Sequence, residues 1–164
     1  MRTCIGLAAL LAAGCGTNQF EAEAALERKA VPLARETVAG GYALVTADEL
    51  AGWLEQRKDL LLIDAMPAAD FAREHIAGAV NFEFPREAMA SWDPARTGGK
   101  SEQDLETLLG ADRERRVVVY CGFVACARSH NAALWAAQLG FRDVVRFPGG
   151  IHAWKGSGRP VVKE

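Results

Sequence analysis

The chain has 164 residues and a mass of 17.7 kDa, with 50% of its residues apolar, 24% charged and a formal net charge of −2. That length suffices for one domain with a hydrophobic core. The Gly and Pro contents exclude collagen-like and linker-dominated chains, and the weakly acidic balance gives no general electrostatic reason to bind nucleic acid.

The N-terminal segment stands apart from the fold. Arg2 is followed by the apolar run Cys4 to Ala13 and then by Gly14-Cys15. This run falls well short of the roughly 20 residues that cross a bilayer and fits the hydrophobic region of an export signal. The ending Leu11-Ala-Ala-Gly-Cys15 resembles a bacterial lipobox. That resemblance implies removal of residues 1–14, lipidation of Cys15, and an exported protein anchored in a membrane and facing the periplasm or the cell exterior. Residues 15–41 contain strong helix formers in Glu21 to Ala30 but only a thin apolar stripe, which predicts a tether with transient helix.

Residues 42–164 carry the periodic signals of a domain. Thr46-Ala-Asp-Glu49 is a capping box that opens a helix with Leu50, Trp53 and Leu54 on one face. Leu60-Leu-Leu-Ile-Asp64 is a continuous apolar run, as expected of a strand covered on both sides. Ala68 to His75 reads as helix, Ala79 to Phe82 as strand, and Ser91 to Lys100 as an exposed loop. Ser101 caps a helix reaching about Leu109. Arg116 to Tyr120 reads as a buried strand, Cys121 to Ala127 as a loop, and Arg128 to Leu139 as an Ala-rich helix stopped by Gly140. Arg142 to Phe147 gives another strand, followed by a turn at Pro148-Gly-Gly150 and a helical turn from Ile151 to Trp154. Strands alternating with helices predict an α/β domain with a mainly parallel sheet flanked by helices.

Charge is unevenly distributed along this pattern. From Thr17 to Glu114, ten Lys and Arg stand against nineteen Asp and Glu, whereas Arg115 to Pro160 holds seven Lys and Arg against Asp143 alone. The spread of the seven basic residues suits a pocket for a small anion, with a solvated basic face as the alternative.

Chemistry is expected between Tyr120 and Arg128. Ligands of open parallel sheets bind at the carboxyl ends of strands, where loops meet helix N-termini. Amides of Gly122, Phe123, Val124, Ala125, Ala127 and Ser129 can converge there on an anion or a thiolate, and Arg128 adds a full charge. Lowering a thiol pKa from about 8.5 to about 7 raises its thiolate fraction at neutral pH from roughly 3% to roughly 50%. Such a cysteine attacks soft centres such as sulfane sulfur.

The segment from about Tyr42 to Val162 resembles a rhodanese domain. Leu61-Leu-Ile-Asp64 matches the first central strand of that family, and Glu74-His-Ile-Ala-Gly-Ala79 its Gly-His-Ile-Pro-Gly-Ala segment. Val118-Val-Tyr-Cys121 with Arg128-Ser129 matches the active-site strand and helix start. Gly149-Gly-Ile-His-Ala-Trp154 and Gly158-Arg-Pro-Val161 match the closing pattern. The resemblance implies a three-layer domain with a five-stranded sheet. It also implies sulfur transfer through a cysteine persulfide, from a small anionic donor such as thiosulfate to a thiol or cyanide, with no metal or organic cofactor.

One departure is local. The family has four residues between its catalytic Cys and the Arg-Ser pair; Gly122 to Ala127 makes six, which predicts a reshaped pocket. It also brings in Cys126. Cys121 holds the family's nucleophile position and is the preferred sulfur carrier, with Cys126 as a resolving thiol. In an exported setting the pair can rest as a disulfide until a redox partner reduces it. Two alternatives remain: a non-catalytic persulfide or thiol sensor, and a metal site built from Cys121, Cys126 and His130 with His152 as fourth ligand. His75 and Asp64 are read as structural, Trp53, Trp135 and Trp154 as core, and Trp92 as either pocket rim or apolar cap. Arg146 either joins Arg128 in attracting an anion or faces solvent.

Overall fold

The computed structural model describes residues 18–56 and 58–164. The predicted export signal and Cys15 lie outside the described residues. In chain order the elements are α1 (Gln19–Gly40), β1 (Ala43–Leu44), α2 (Ala47–Glu55), β2 (Leu60–Asp64), α3 (Ala68–Arg73), β3 (Val80–Asn81), a 3-10 turn (Pro94–Arg96), α4 (Glu102–Leu109), β4 (Arg116–Tyr120), α5 (Arg128–Gln138), β5 (Val144–Phe147) and α6 (Gly150–Gly156).

The five strands form one fully parallel sheet in the order β1-β5-β4-β2-β3. The centre is the pair β2 and β4, in register from Leu60 against Arg116 to Asp64 against Tyr120. Their β-branched and apolar side chains alternate between two faces with the period of a strand. Leu61, Ile63, Val117 and Val119 pack toward α4 and α5. Leu62, Val118 and Tyr120 pack toward α2 and α6. Val117, Val118 and Val119 have no solvent exposure, and each such burial stabilises the fold by about 1.5–3 kcal/mol. The result is the three-layer α/β domain that the alternating pattern predicts.

Both predicted helix caps form. Thr46 and Glu49 exchange the two hydrogen bonds of a capping box, and Ser101 does the same with Asp104. The loop at 91–100 is tied down by Thr97, wholly buried, whose hydroxyl donates to the Lys100 carbonyl at 2.6 Å. Trp92 packs edge-on against Trp135 with ring centroids 5.0 Å apart, so it caps apolar surface. His75 stacks on Phe71, its Nδ1 lies 2.9 Å from the Phe71 carbonyl oxygen, and its backbone bridges to Val162, the structural role expected of it.

The predicted tether requires correction. Residues 19–40 form a continuous helix of 22 residues, capped by the Asn18 side chain. Only Gly40 of this helix is buried, which is why the apolar stripe is thin. The helix is fastened at its C-terminal end, where the Glu36 carboxylate accepts a hydrogen bond from Arg146 at 2.5 Å. No helix among the described residues is long and apolar enough to cross a membrane.

Candidate functional site

Strand β4 delivers Cys121 to the carboxyl edge of the sheet, and α5 begins at Arg128. Cys121 continues the odd-numbered side of β4, so its side chain faces α5 and has no solvent exposure. Its sulfur lies 3.1 Å from Ser129 Oγ and 3.2 Å from the Cys126 carbonyl oxygen. The loop folds back on itself, with the Cys126 amide donating to the Phe123 carbonyl at 2.9 Å. This turn sets the Cys126 carbonyl oxygen 3.2 Å from the Cys121 sulfur, and both cysteines are free and buried.

The two sulfurs occupy opposite electrostatic positions. Burial pushes the Cys121 thiol well above its ordinary range, and donation to Cys126 beside a negative neighbour adds to this, against the opposing amide and hydroxyl of Ser129. Cys126 is pushed down. The hydrogen bond from Cys121 is the largest cause, and the amides of Gly122 and Arg128 and the charge of Arg128 add to it and outweigh burial. The Ala127 N-cap of α5 has no side-chain capping hydrogen bond, and the Arg128 amide at that helix end is among the groups that lower the Cys126 pKa.

Of the expected loop amides, Gly122 serves Cys126 and Ser129 serves Cys121, joined by that of Arg128. Phe123, Val124, Ala125 and Ala127 build the turn. Phe123 is exposed, its ring 5.5 Å from that of His152. The Arg128 guanidinium donates to the Phe84 carbonyl and lies 3.9 Å from Glu83, and its charge still lowers the Cys126 pKa.

Arg146, left open by the sequence, is the buried organiser of the loop. With no solvent exposure, it donates to Ser129 Oγ at 3.0 Å, to the Cys126 carbonyl at 3.1 Å and to the Val124 carbonyl at 3.4 Å. Its charge is met by Glu36 of α1, and it reaches the Tyr42 hydroxyl at 3.3 Å, which lies 2.8 Å from His130 Nδ1. Sequence reasoning missed Glu36, Tyr42 and His130 as parts of this network. The available signal was an Arg inside the apolar run Val144 to Phe147, where a strand side chain is buried and needs partners.

Helix α6 closes the other side. The amides of Ile151 and His152 donate to the carbonyls of Cys121 and Gly122 at 2.9 and 3.0 Å. Gly150 sits at φ +56°, and a Cβ there would fall 2.1 Å from the Cys121 carbonyl oxygen, so only Gly lets the backbones approach.

Asp64 ends β2 beside this loop. Its Oδ1 accepts the Met66 amide at 2.9 Å, which is the anchoring expected. Burial raises its pKa to about 6 despite this hydrogen bond. A cleft of about 510 Å³ opens beside it, lined on the loop side by Gly122 and Phe123 and holding Arg73, Arg86 and Lys163 as well as Asp70 and Glu74.

Two of the alternatives left open by the sequence lose their support. The basic residues of the C-terminal third form no anion pocket: Arg115, Arg116, Arg128, Arg142, Arg146, Lys155 and Arg159 each lie within 4.0 Å of a carboxylate. Nor do Cys121, Cys126, His130 and His152 make a metal centre. His130 faces Tyr42, His152 faces Phe123, and no group of three potential ligands is arranged to hold a metal among the described residues.

The rhodanese-like domain model matches residues 46–157. A sulfurtransferase of Allochromatium vinosum is 28% identical over 118 residues, covering 72% of this chain and 92% of that protein. Rhodanese-like domain-containing protein 14, chloroplastic, of Arabidopsis thaliana is 25% identical, and the match spans 66% of this chain but only 60% of that protein. A solved Bacillus halodurans structure superposes with a TM-score of 0.59 at 22% identity, covering 89% of this chain and 87% of its own, and shares the fold. A family match over most of the chain, on a parallel five-stranded sheet with its cysteine loop at the carboxyl edge, shows that this chain belongs to the rhodanese-like domain family.

Proposed function

We propose that the chain is a sulfurtransferase that carries sulfane sulfur as a persulfide on its cysteine loop, with Cys126 as the carrying sulfur. The observation behind this reading is the turn, closed by the Cys126 amide on the Phe123 carbonyl at 2.9 Å, that sets Cys126 beside Cys121 at the N-terminus of α5, where neighbouring amides and the charge of Arg128 lower its pKa. A thiolate so held attacks the sulfane sulfur of thiosulfate, a persulfide or a polysulfide; the donor S–S bond breaks and its remainder, sulfite for thiosulfate, leaves with the electron pair. The same amides stabilise the outer persulfide sulfur. A thiol or cyanide then attacks that outer sulfur and restores the thiolate. This assignment moves the carrier from Cys121, the position the family resemblance favours, to Cys126, the less buried of the two at 4% exposure. The relationship to the Allochromatium vinosum sulfurtransferase supports the activity class.

The near-complete burial of both cysteines favours one second reading, a persulfide sensor without turnover. The lipobox-like sequence before Cys15 supports export and lipid anchoring, with a periplasmic reductant as partner. Fatty-acid labelling lost on Cys15→Ser checks the anchor.

The test of the function is thiocyanate production by the full-length chain, kept reduced by a dithiol, from cyanide with thiosulfate, and separately with inorganic polysulfide. Turnover abolished by Cys126→Ser supports the proposal. A single sulfur adduct without turnover on either donor would establish the sensor reading, and no adduct at all would remove sulfur transfer.

A further inference from the structure

The loop holds two thiols where one suffices for a persulfide carrier, and their placement is unequal. Cys121 has no solvent exposure, and its sulfur is enclosed by Ser129 and the Cys126 carbonyl. An external donor or acceptor therefore has no route to it in this conformation. The one electrophile that arrives within its reach is whatever forms on Cys126. The turn closed by the Phe123 carbonyl and the Cys126 amide, in a loop two residues longer than the family's usual one, is what brings Cys126 beside Cys121.

We propose that Cys121 is an internal resolving thiol: its sulfur attacks the Sγ of persulfidated Cys126, expelling hydrosulfide and closing a Cys121–Cys126 disulfide. The inference rests on the sulfurtransferase reading above. The new bond joins the two Sγ atoms, and the bond that breaks joins Cys126 Sγ to the outer sulfur. The outer sulfur leaves with the electron pair as hydrosulfide, the Cys121 proton accompanying it. Sulfane sulfur is thereby reduced and the two cysteines are oxidised to a disulfide. A dithiol reductant supplies the two electrons that reset the loop.

The surroundings favour this order of events. While Cys126 is a thiolate, its charge and its hydrogen bond keep Cys121 protonated. Once Cys126 carries the outer sulfur, charge moves away from Sγ and that hold on Cys121 weakens. Ser129, fixed by Arg146 Nε at 3.0 Å, remains 3.1 Å from the Cys121 sulfur and is placed to stabilise its anion. Only four residues separate the cysteines and the Cys121 sulfur already lies 3.2 Å from the Cys126 carbonyl oxygen, so the attack is intramolecular and strongly favoured over capture by dilute external thiols.

The experiment mixes the reduced full-length chain with one equivalent of inorganic polysulfide without oxygen, following released hydrosulfide and intact mass. The wild type is expected to release one hydrosulfide per chain and to finish two hydrogens lighter, with the Cys121 and Cys126 peptides crosslinked until a dithiol is added. Cys121→Ser and Cys121→Ala are both expected to keep one added sulfur on Cys126 for at least about tenfold longer. A wild type that keeps its added sulfur as long as these variants, with no disulfide, overturns the proposal, and thiocyanate formation in that sample shows sulfur transfer surviving it. An adduct that maps to Cys121 also overturns it. No adduct in any form removes the sulfurtransferase reading and the resolving step together.

Discussion

Arg146 donates to the Cys126 carbonyl oxygen at 3.1 Å from a position with no solvent exposure. The contact ties the end of β5 to the reactive turn. Arg146→Met removes a buried charge and leaves the Val124 and Cys126 carbonyls without their donor. A loss of about 1–3 kcal/mol is expected in urea unfolding, since a buried carbonyl is left without its donor. Arg146→Lys restores charge without the planar fork and is expected to recover only part of that stability.

The same guanidinium makes α1 part of the domain. Glu36→Gln is expected to cost about 1–3 kcal/mol, because the buried Arg146 loses its countercharge. Glu27→Gln, on the exposed part of the same helix, is expected to change stability by less than about 0.5 kcal/mol. Equal effects of the two substitutions would show that the helix is not docked through Glu36.

Gly150 packs against the reactive loop at positive φ, while Gly158 has positive φ with nothing within 4 Å of its Cβ position. Gly158→Ala should therefore carry only the conformational penalty, about 1 kcal/mol. Gly150→Ala adds a clash with the Cys121 carbonyl and should cost more than about 2 kcal/mol. Thermal unfolding of the pair separates backbone strain from close approach.

Asp64 gives the fold a pH dependence of a definite sign. Its folded pKa is raised from 3.8 to about 6 by burial, so the native state binds this proton more tightly than the unfolded chain. The contribution is fully present below about pH 4 and is lost as pH rises through about 6. Measured as the difference between wild type and Asp64→Asn, stability should fall by about 2 kcal/mol between pH 4 and pH 7. A flat difference would show that Asp64 is ionised like a surface carboxylate.

The central strands and α5 were legible in the sequence because their signals are local. Leu60 to Asp64 and Val117 to Tyr120 are continuous apolar runs, and Gly140 ends α5 where an αL residue is needed. The docking of α1 was not legible, since it rests on Glu36 meeting Arg146 across 110 positions. The basic C-terminal third was misread for a related reason. Counting charge finds seven cations but not the seven carboxylates that fold against them. At the site, position along β4 located the loop correctly. The difference between its two cysteines came from the turn at Phe123, which spacing alone does not reveal.

The account turns on Cys126 being the thiolate of the loop, and the pH dependence of alkylation tests that most directly. The reduced chain is treated with iodoacetamide from pH 5 to pH 9, and each cysteine is followed by peptide mass. Cys126 should be modified at a rate that is already near its plateau at pH 7, below the ordinary thiol value of about 8.5, while Cys121 stays unmodified until the chain unfolds. Modification of Cys121 first, or a Cys126 rate that rises only above about pH 8, would contradict the account.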